Sequence, residues 1–428
     1  MRGEKKMKKK LVDFFDKVSP FFDKMGNNPY LQAISGAMMS TLGPVFIGSV
    51  AVLLVVFMNM SKTLQGFTQV ISLLGKVNTF TIGSLALYIS VLMAINLVRK
   101  LDEKEDYVAA GIISLMSFLL ITPLDKTADD VAALPTTWLS AQGVFSAMIV
   151  GLVVGRLFLA IKRKGWTIKM PEGVPPMVTR LFESLIPTVL IGILFILVDL
   201  GFSLTPFENM HQFVYTIIQE PLKGIGGSIG AMIILSLLQQ ILWFFGIHGT
   251  NVILPLVTPL WMAMDVENMN AVTAGQTPPN IVGLAFFNII TFGGMALGLV
   301  LLMLRAKSKQ YREVGKISIV PALFGITEPV IFGSPLVLNF DLAIPFIFNN
   351  SIGLILAYVL TKIGLVSRFV GVQAIFGLPV GFHAAVQGSI SVIILQLVIQ
   401  LVLSPILWYP WFKRLDNKTY LQEQRGEV

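Results

Sequence analysis

The chain has 428 residues, 54% of them hydrophobic and 13% charged, with no cysteine and a formal net charge of +8. So apolar a composition lies outside the range of soluble domains and describes a multi-pass membrane protein. The missing thiols exclude disulfides, iron–sulfur ligation and thiolate zinc sites, and three scattered histidines (His211, His248, His383) are too few for a His-rich metal centre, so neither metal nor cofactor is expected.

Residues 1–30 open with the basic run MRGEKKMKKK and continue as LVDFFDKVSPFFDKMGNNPY, which reads as an amphipathic cytoplasmic or interfacial lead-in, or as a solvated approach to the first crossing. No apolar core with a cleavage site follows closely, so no signal peptide is expected. Apolar runs of spanning length lie near 36–57, 80–98, 107–124, 143–161, 181–203, 228–245, 281–304, 341–361 and 388–409. With the broken segments they amount to about nine or ten crossings. The expected fold is an all-α integral membrane protein.

The positive charge does not indicate nucleic acid, because the basic residues cluster at helix ends. RKLDEKED at 99–106, KRKGWTIK at 162–169, RAKSKQYREVGK at 305–316 and KRLDNK at 413–418 belong on the cytoplasmic side by the positive-inside rule. Loop 123–138, with Asp125, Asp129 and Asp130, then falls outside, and both termini are expected in the cytoplasm.

Residues 1–205 read as an N-terminal membrane domain, 206–224 as an amphipathic linker helix, 225–412 as a second membrane domain and 413–428 as a cytoplasmic tail. In the second domain Gly and Pro repeatedly interrupt the apolar runs, notably at 246–266, 320–339 and GVQAIFGLPVGFHAAVQG. Backbone freed from helical bonding at membrane depth must be buried in protein or line a cavity, and paired broken segments point to a transporter's binding site. The chain has no GxxxxGK[ST] or GxGxxG phosphate-binding fingerprint, so ATP hydrolysis is not expected.

Two ionisable residues sit in these interruptions. His248, in WFFGIHGTN, is flanked by Gly246 and Gly249, which allow a turn and close ligand approach, and by Trp243, Thr250 and Asn251. Glu328, in LFGITEPVIFG, stands between Thr327 and Pro329, and the proline keeps the helix from running undisturbed through it. A charge at bilayer depth costs about 2.5–3.5 kcal/mol on insertion scales, so such residues sit beside partners or water-filled cavities. Alternatives for Glu328 are a carboxylate capping free backbone amides and a proton relay; for His248 and His383, a packed structural imidazole. A sugar fits the pair, since its C–H faces stack on aromatic rings and its hydroxyls bond acids, imidazoles and amides. Trp243, Trp261 and Phe376 are candidate stacking faces, and Asn251 and Asn339 the candidate polar shell.

WFFGIHGTNV and LFGITEPVIFGSPLVLN together resemble the membrane-embedded sugar-translocating subunit, enzyme IIC, of the bacterial phosphoenolpyruvate-dependent phosphotransferase system. IKMPEGVPPMV with FESLIP, and the terminal WYPWFKRLD, resemble its lactose/cellobiose/diacetylchitobiose branch, over about residues 11–415. The resemblance implies a homodimer in the bacterial plasma membrane, joined through five N-terminal helices. Its C-terminal half would be a transport domain with re-entrant hairpins that holds a β-linked disaccharide and moves like an elevator. It also implies that Glu328 and His248 contact the sugar near the hydroxyl that becomes phosphorylated, and that the phosphoryl donor is a phosphocysteine on a separate IIB protein. Gly249, Thr327 and the Gly293-Gly294 pair complete the expected site. Basic loops 162–169 and 305–316 are plausible docking surfaces for IIB, or serve topology alone. The chain departs from the family where Phe376-Gly377-Leu378-Pro379 replaces a Trp-Thr-x-Pro segment, Asn339-Phe340 an Asn-Pro, and Gly293-Gly294-Met295 a Gly-Gly-Ser-Gly run. A proton-coupled sugar transporter and a non-transporting sugar sensor are the competing functions.

Overall fold

The computed structural model of the chain describes residues 17–425 apart from 18, 19, 23, 61, 62, 128, 172, 335 and 376. Most of the expected lead-in at 1–30 lies outside the described residues. Among them, seven helical stretches are long and apolar enough to cross a membrane, or eight if the bent pair Met210–Gly226 and Ile229–Phe244 is one span. The run at 107–124 forms a shorter apolar helix, Tyr107–Leu120. The expected all-α architecture is observed; the described sheet is a two-residue hairpin, Asp125–Lys126 against Ala132–Ala133, in the acidic loop.

The N-terminal compact unit comprises Asn27–Gly226 and Pro255–Thr273. Its principal helices are α1 (Pro29–Ser40), α2 (Leu42–Met60), α3 (Thr68–Phe80), α4 (Leu85–Leu101), α5 (Tyr107–Leu120), α6 (Val144–Arg163) and α7 (Pro176–Ser203). Small residues let the central helices approach closely: a Cβ at Gly151 of α6 would lie 2.5 Å from the Cβ of Met93, and one at Gly111 of α5 would lie 2.7 Å from Ile95. In lipid this close packing, with interhelical hydrogen bonds such as Ser114 Oγ to the Ser90 carbonyl (2.7 Å), drives helix association. Along α7, Leu181, Leu185, Val189, Ile193, Ile196 and Leu200 stand exposed, an apolar face suited to lipid or a second membrane protein. Lys162 is committed to Glu105 and Glu183, so this residue of the basic 162–169 loop is occupied within the unit.

The amphipathic linker helix expected at 206–224 is interrupted. It is a helix Met210–Val214, a π-helical turn Tyr215–Gln219 and a helix Glu220–Gly226, docked into the N-terminal unit. His211 is fully buried, its ring nitrogens 2.6 Å from Ser146 Oγ and 3.0 Å from Thr122 Oγ1, stacked on Trp138. That is a packed structural imidazole.

The second unit comprises the described residues of 17–26, 227–254 and 274–425. Its helices are α8 (Ile229–Phe244), the first turns of α9 (Gly249–Thr273), α10 (Leu284–Ile290), α11 (Leu297–Met303), α12 (Lys309–Leu323), the short α13 (Glu328–Gly333), α14 (Ala343–Lys362), α15 (Ile390–Val398) and α16 (Ser404–Gln424). Of the broken segment expected at 246–266, the break lies in the turn before Gly249, and 249–266 belongs to one continuous helix, α9, containing Pro255 and Pro259. It passes from one unit to the other between Leu254 and Pro255, so 255–273 leaves the domain expected at 225–412. A core of Phe244, Leu297, Val300, Met303, Phe346, Trp408 and Phe412 joins α8, α11, α14 and α16. Residues 413–424, expected as a tail, continue α16, and their carboxylates cap α12: Asp416 accepts from the Lys307 and Ser308 amides (3.0 and 2.9 Å), and Glu423 from those of Lys309 and Gln310 (2.9 and 3.0 Å).

Candidate functional site

Two turns in the second unit are built alike, from nearly the same residues. Helix α8 ends in Phe244-Phe245-Gly246-Ile247, with Gly246 at φ 85°; the Gly246 amide bonds the Trp243 carbonyl (3.0 Å) and the Ile247 amide that of Leu242 (2.9 Å). Helix α12 ends in Leu323-Phe324-Gly325-Ile326, with Gly325 at φ 79°; the Gly325 amide bonds Ala322 (3.1 Å) and the Ile326 amide Pro321 (3.0 Å). Both are Schellman caps, in which only glycine takes the left-handed position without cost. The chemistry-bearing residues follow each cap: His248 after the first, Thr327 and Glu328 after the second. In each helix the carbonyl before the cap accepts a backbone amide from another broken segment, Leu338 to Phe244 (2.9 Å) and Val380 to Leu323 (2.8 Å). These bonds satisfy backbone that the interrupted helices would leave unpaired.

His248 is exposed, and its place is defined on two sides. Its Nδ1 accepts the Asn251 amide at 3.3 Å, capping the start of α9, and its ring lies 4.2 Å from the Trp243 indole, centroid to centroid. The same Asn251 amide also donates to the His248 carbonyl (3.0 Å), so Nδ1 shares that donor and Nε2 takes no part in the contact. Trp243 and Gln239 both donate to Thr250 Oγ1 (3.2 and 3.3 Å), leaving the threonine hydrogen to donate elsewhere. Gly249 permits the close approach: a Cβ there would sit 2.1 Å from the Gln239 carbonyl oxygen. The Asn251 side chain is exposed beside His248.

Glu328 is the first residue of α13, ahead of Pro329; its side chain lies outside the described residues, as does Phe376. Thr327 is buried next to Gly293, where a Cβ would lie 3.1 Å from the threonine methyl and 3.3 Å from Gly325 Cα. Gly293, Gly294 and Met295 all take positive φ (54°, 61° and 53°), so this break between α10 and α11 is a left-handed turn rather than a kink. The Phe292 ring covers Gly325 and packs against His383, centroids 4.9 Å apart. Asn339 follows the Leu338 contact to the His248-bearing turn, and its Oδ1 accepts the Asp341 amide at 3.1 Å.

The second unit therefore holds two clusters: the segments carrying Trp243, His248, Gly249 and Asn251 meet the one carrying Asn339 through the Leu338–Phe244 bond, and Gly293 and Gly294 lie in a turn that meets Thr327. Trp261 does not join them. It lies in the N-terminal unit, fully buried, with its indole N–H bonded to the Gly226 carbonyl (3.0 Å), so its ring is core rather than a stacking face. Gln239 and Thr250 are polar contacts absent from the expected site; the Gln239-Gln240 pair inside an apolar helix was the available signal. Among the described residues no group of three or more acidic, histidine or cysteine side chains could hold a metal.

A family model described as "Phosphotransferase system, EIIC" matches residues 35–349. The oligo-β-mannoside-specific EIIC component of Bacillus subtilis (strain 168) is 32% identical over 97% of each chain, and the cellobiose-specific EIIC component of Geobacillus stearothermophilus is 32% identical over 96% of this chain and 95% of its own. The crystal structure of the transporter ChbC, the IIC component from the N,N'-diacetylchitobiose-specific phosphotransferase system, superposes with a TM-score of 0.89 at 32% identity, covering 97% of this chain and all of that one.

Proposed function

The chain belongs to the phosphotransferase-system EIIC family of membrane sugar permeases, and from that premise we propose that it binds a β-linked disaccharide in its second unit and presents it to a phosphorylated IIB protein. The relatives named for oligo-β-mannosides and cellobiose, and the structure named for diacetylchitobiose, support this class of sugar. The observation that carries the site assignment is His248, an exposed imidazole held between the Trp243 indole and the Asn251 amide at the start of α9. In the proposed reaction the imidazole bonds the sugar hydroxyl, or a phosphoryl oxygen as charge gathers on it. The Glu328 carboxylate takes the hydroxyl proton as the oxygen attacks phosphorus, the O–P bond forms and the S–P bond to the IIB cysteine breaks. With no cysteine in this chain, that sulfur must come from the partner.

The chain crosses between its compact units at Gly26/Asn27, Gly226/Gly227, Leu254/Pro255 and Thr273/Ala274, the last beside Gly275. Glycine or proline at three of the four crossings, and beside the fourth, supports an elevator-like displacement of the second unit. We assign the exposed face of α7 to lipid and a second protomer in the plasma membrane, with both termini cytoplasmic.

The test is uptake of cellobiose, β-1,4-mannobiose and α-linked maltose into cells supplying phosphorylated IIB. Accumulation of a β-linked sugar as its phosphate is expected. Glu328→Gln should lower phosphorylation about 100-fold or more, the loss typical of a missing general base, while keeping binding within an order of magnitude. His248→Ala should lose both. Normal coupled uptake in both variants removes the site assignment, and uptake driven by a pH gradient without IIB returns the proton-coupled transporter.

A further inference from the structure

The Gly293–Met295 turn breaks a membrane helix, and breaking it frees carbonyls that have no partner within α10 or α11. The partners come from one row of side chains running from α15 through the next turn into α16. Gln396 Nε2 donates to the Ile289 carbonyl (3.1 Å), Gln400 Nε2 to Ile290 (3.4 Å), and Ser404 Oγ and Trp408 Nε1 both to Met295 (2.6 and 3.0 Å). Gln396 also accepts the Gly381 amide on Oε1 (2.8 Å), joining the third broken segment to the same row. The four donors are spaced four residues apart, and all four are buried.

Such spacing would drift around a regular α-helix by about 40° per step. Here residues 399–403 form a π-helical turn, whose wider winding offsets that drift and keeps the row on one face. Close approach is built in as well, since a Cβ at Gly298 would lie 2.4 Å from the Pro405 nitrogen. Met295 is the one bulky residue of the turn held at positive φ, a conformation disfavoured for a side chain, and its carbonyl receives two of the four donors.

We propose that Gln396, Gln400, Ser404 and Trp408 are positioning residues that hold the Gly293-Gly294 turn against Thr327, and so set one edge of the sugar site. The proposal rests on the assignment of Gly293, Gly294 and Thr327 to that site. It predicts a defect in sugar affinity rather than in phosphoryl transfer, because none of the four touches the reacting atoms.

The test uses the full-length permease in proteoliposomes with phosphorylated IIB, and whichever of cellobiose and β-1,4-mannobiose is taken up. Ser404→Ala and Gln400→Leu should raise KM about five- to tenfold, the value of one or two hydrogen bonds, with kcat kept within twofold. Amide exchange across residues 291–298 should quicken in both. Ser114→Ala removes a comparable buried interhelical bond in the N-terminal unit and should leave KM and that exchange unchanged. Unchanged KM in Ser404→Ala and Gln400→Leu overturns the proposal, as does a raised KM with amide exchange across residues 291–298 left at the wild-type rate. Failure of the site assignment reads differently, as wild-type phosphorylation in the Glu328 and His248 variants.

Discussion

At Gly249 the absence of a side chain does more than allow a turn. The first residue of α9 abuts the Gln239 carbonyl so closely that a methyl group would collide with main chain, which cannot move aside as a side chain would. Gly249→Ala is therefore expected to cost about 1–3 kcal/mol, or to push His248 away from Trp243; a lowered melting temperature with weakened sugar binding is the expected result, and a wild-type profile would show that the contact relaxes freely. The neighbouring tryptophans differ in what could be read of them. Trp243 and Trp261 are alike in sequence, each in an apolar stretch near a break, yet one packs on the imidazole and the other is sealed in the N-terminal unit. Nothing in composition separates them, because the side a ring faces depends on how its helix is rotated.

The most telling element is α16. Its C-terminal turns look like a basic tail, but Asp416 and Glu423 reach four backbone amides at the start of α12, the helix that leads to Thr327 and Glu328. Such bonds are charge-assisted and sit at the positive end of a helix dipole. Asp416→Ala should destabilise the protein by about 1.5–3 kcal/mol, and Asp416→Asn by less, since one acceptor oxygen remains. A thermal melt of the purified permease checks both, and equal melting temperatures for wild type and Asp416→Ala would mean that solvent replaces the cap. Four donors at four-residue intervals between 396 and 408 were legible as a polar stripe in an otherwise apolar segment. What they bond to was not, because the acceptors are carbonyls some 110 residues away in sequence.

For the whole molecule, α9 is the element that belongs to both compact units, and it changes unit at Pro255. Proline removes the hydrogen bond that would stiffen the helix there, so flexure is cheapest at that point. Pro255→Ala should slow coupled uptake several-fold while leaving sugar affinity intact, because hinge residues lie away from the chemistry and act on the conformational step. Uptake at the wild-type rate would show that Pro255 has no part in the transport step.

Hydropathy alone determined that this chain spans a membrane repeatedly through helices, because a spanning segment must hide its own backbone and must be about 30 Å long, and both demands are written residue by residue. The paired motifs around His248 and Glu328 carried the family by resemblance, while the cost of an ionisable group at that depth by itself indicated only a polar site. Only the tertiary structure decided that the linker and residues 255–273 side with the N-terminal unit, that Trp261 is core, and that α16 holds both the Gly293-Gly294 turn and the start of α12. Those outcomes depend on helix rotation and on pairing between segments far apart in the chain, which no local pattern of polarity encodes.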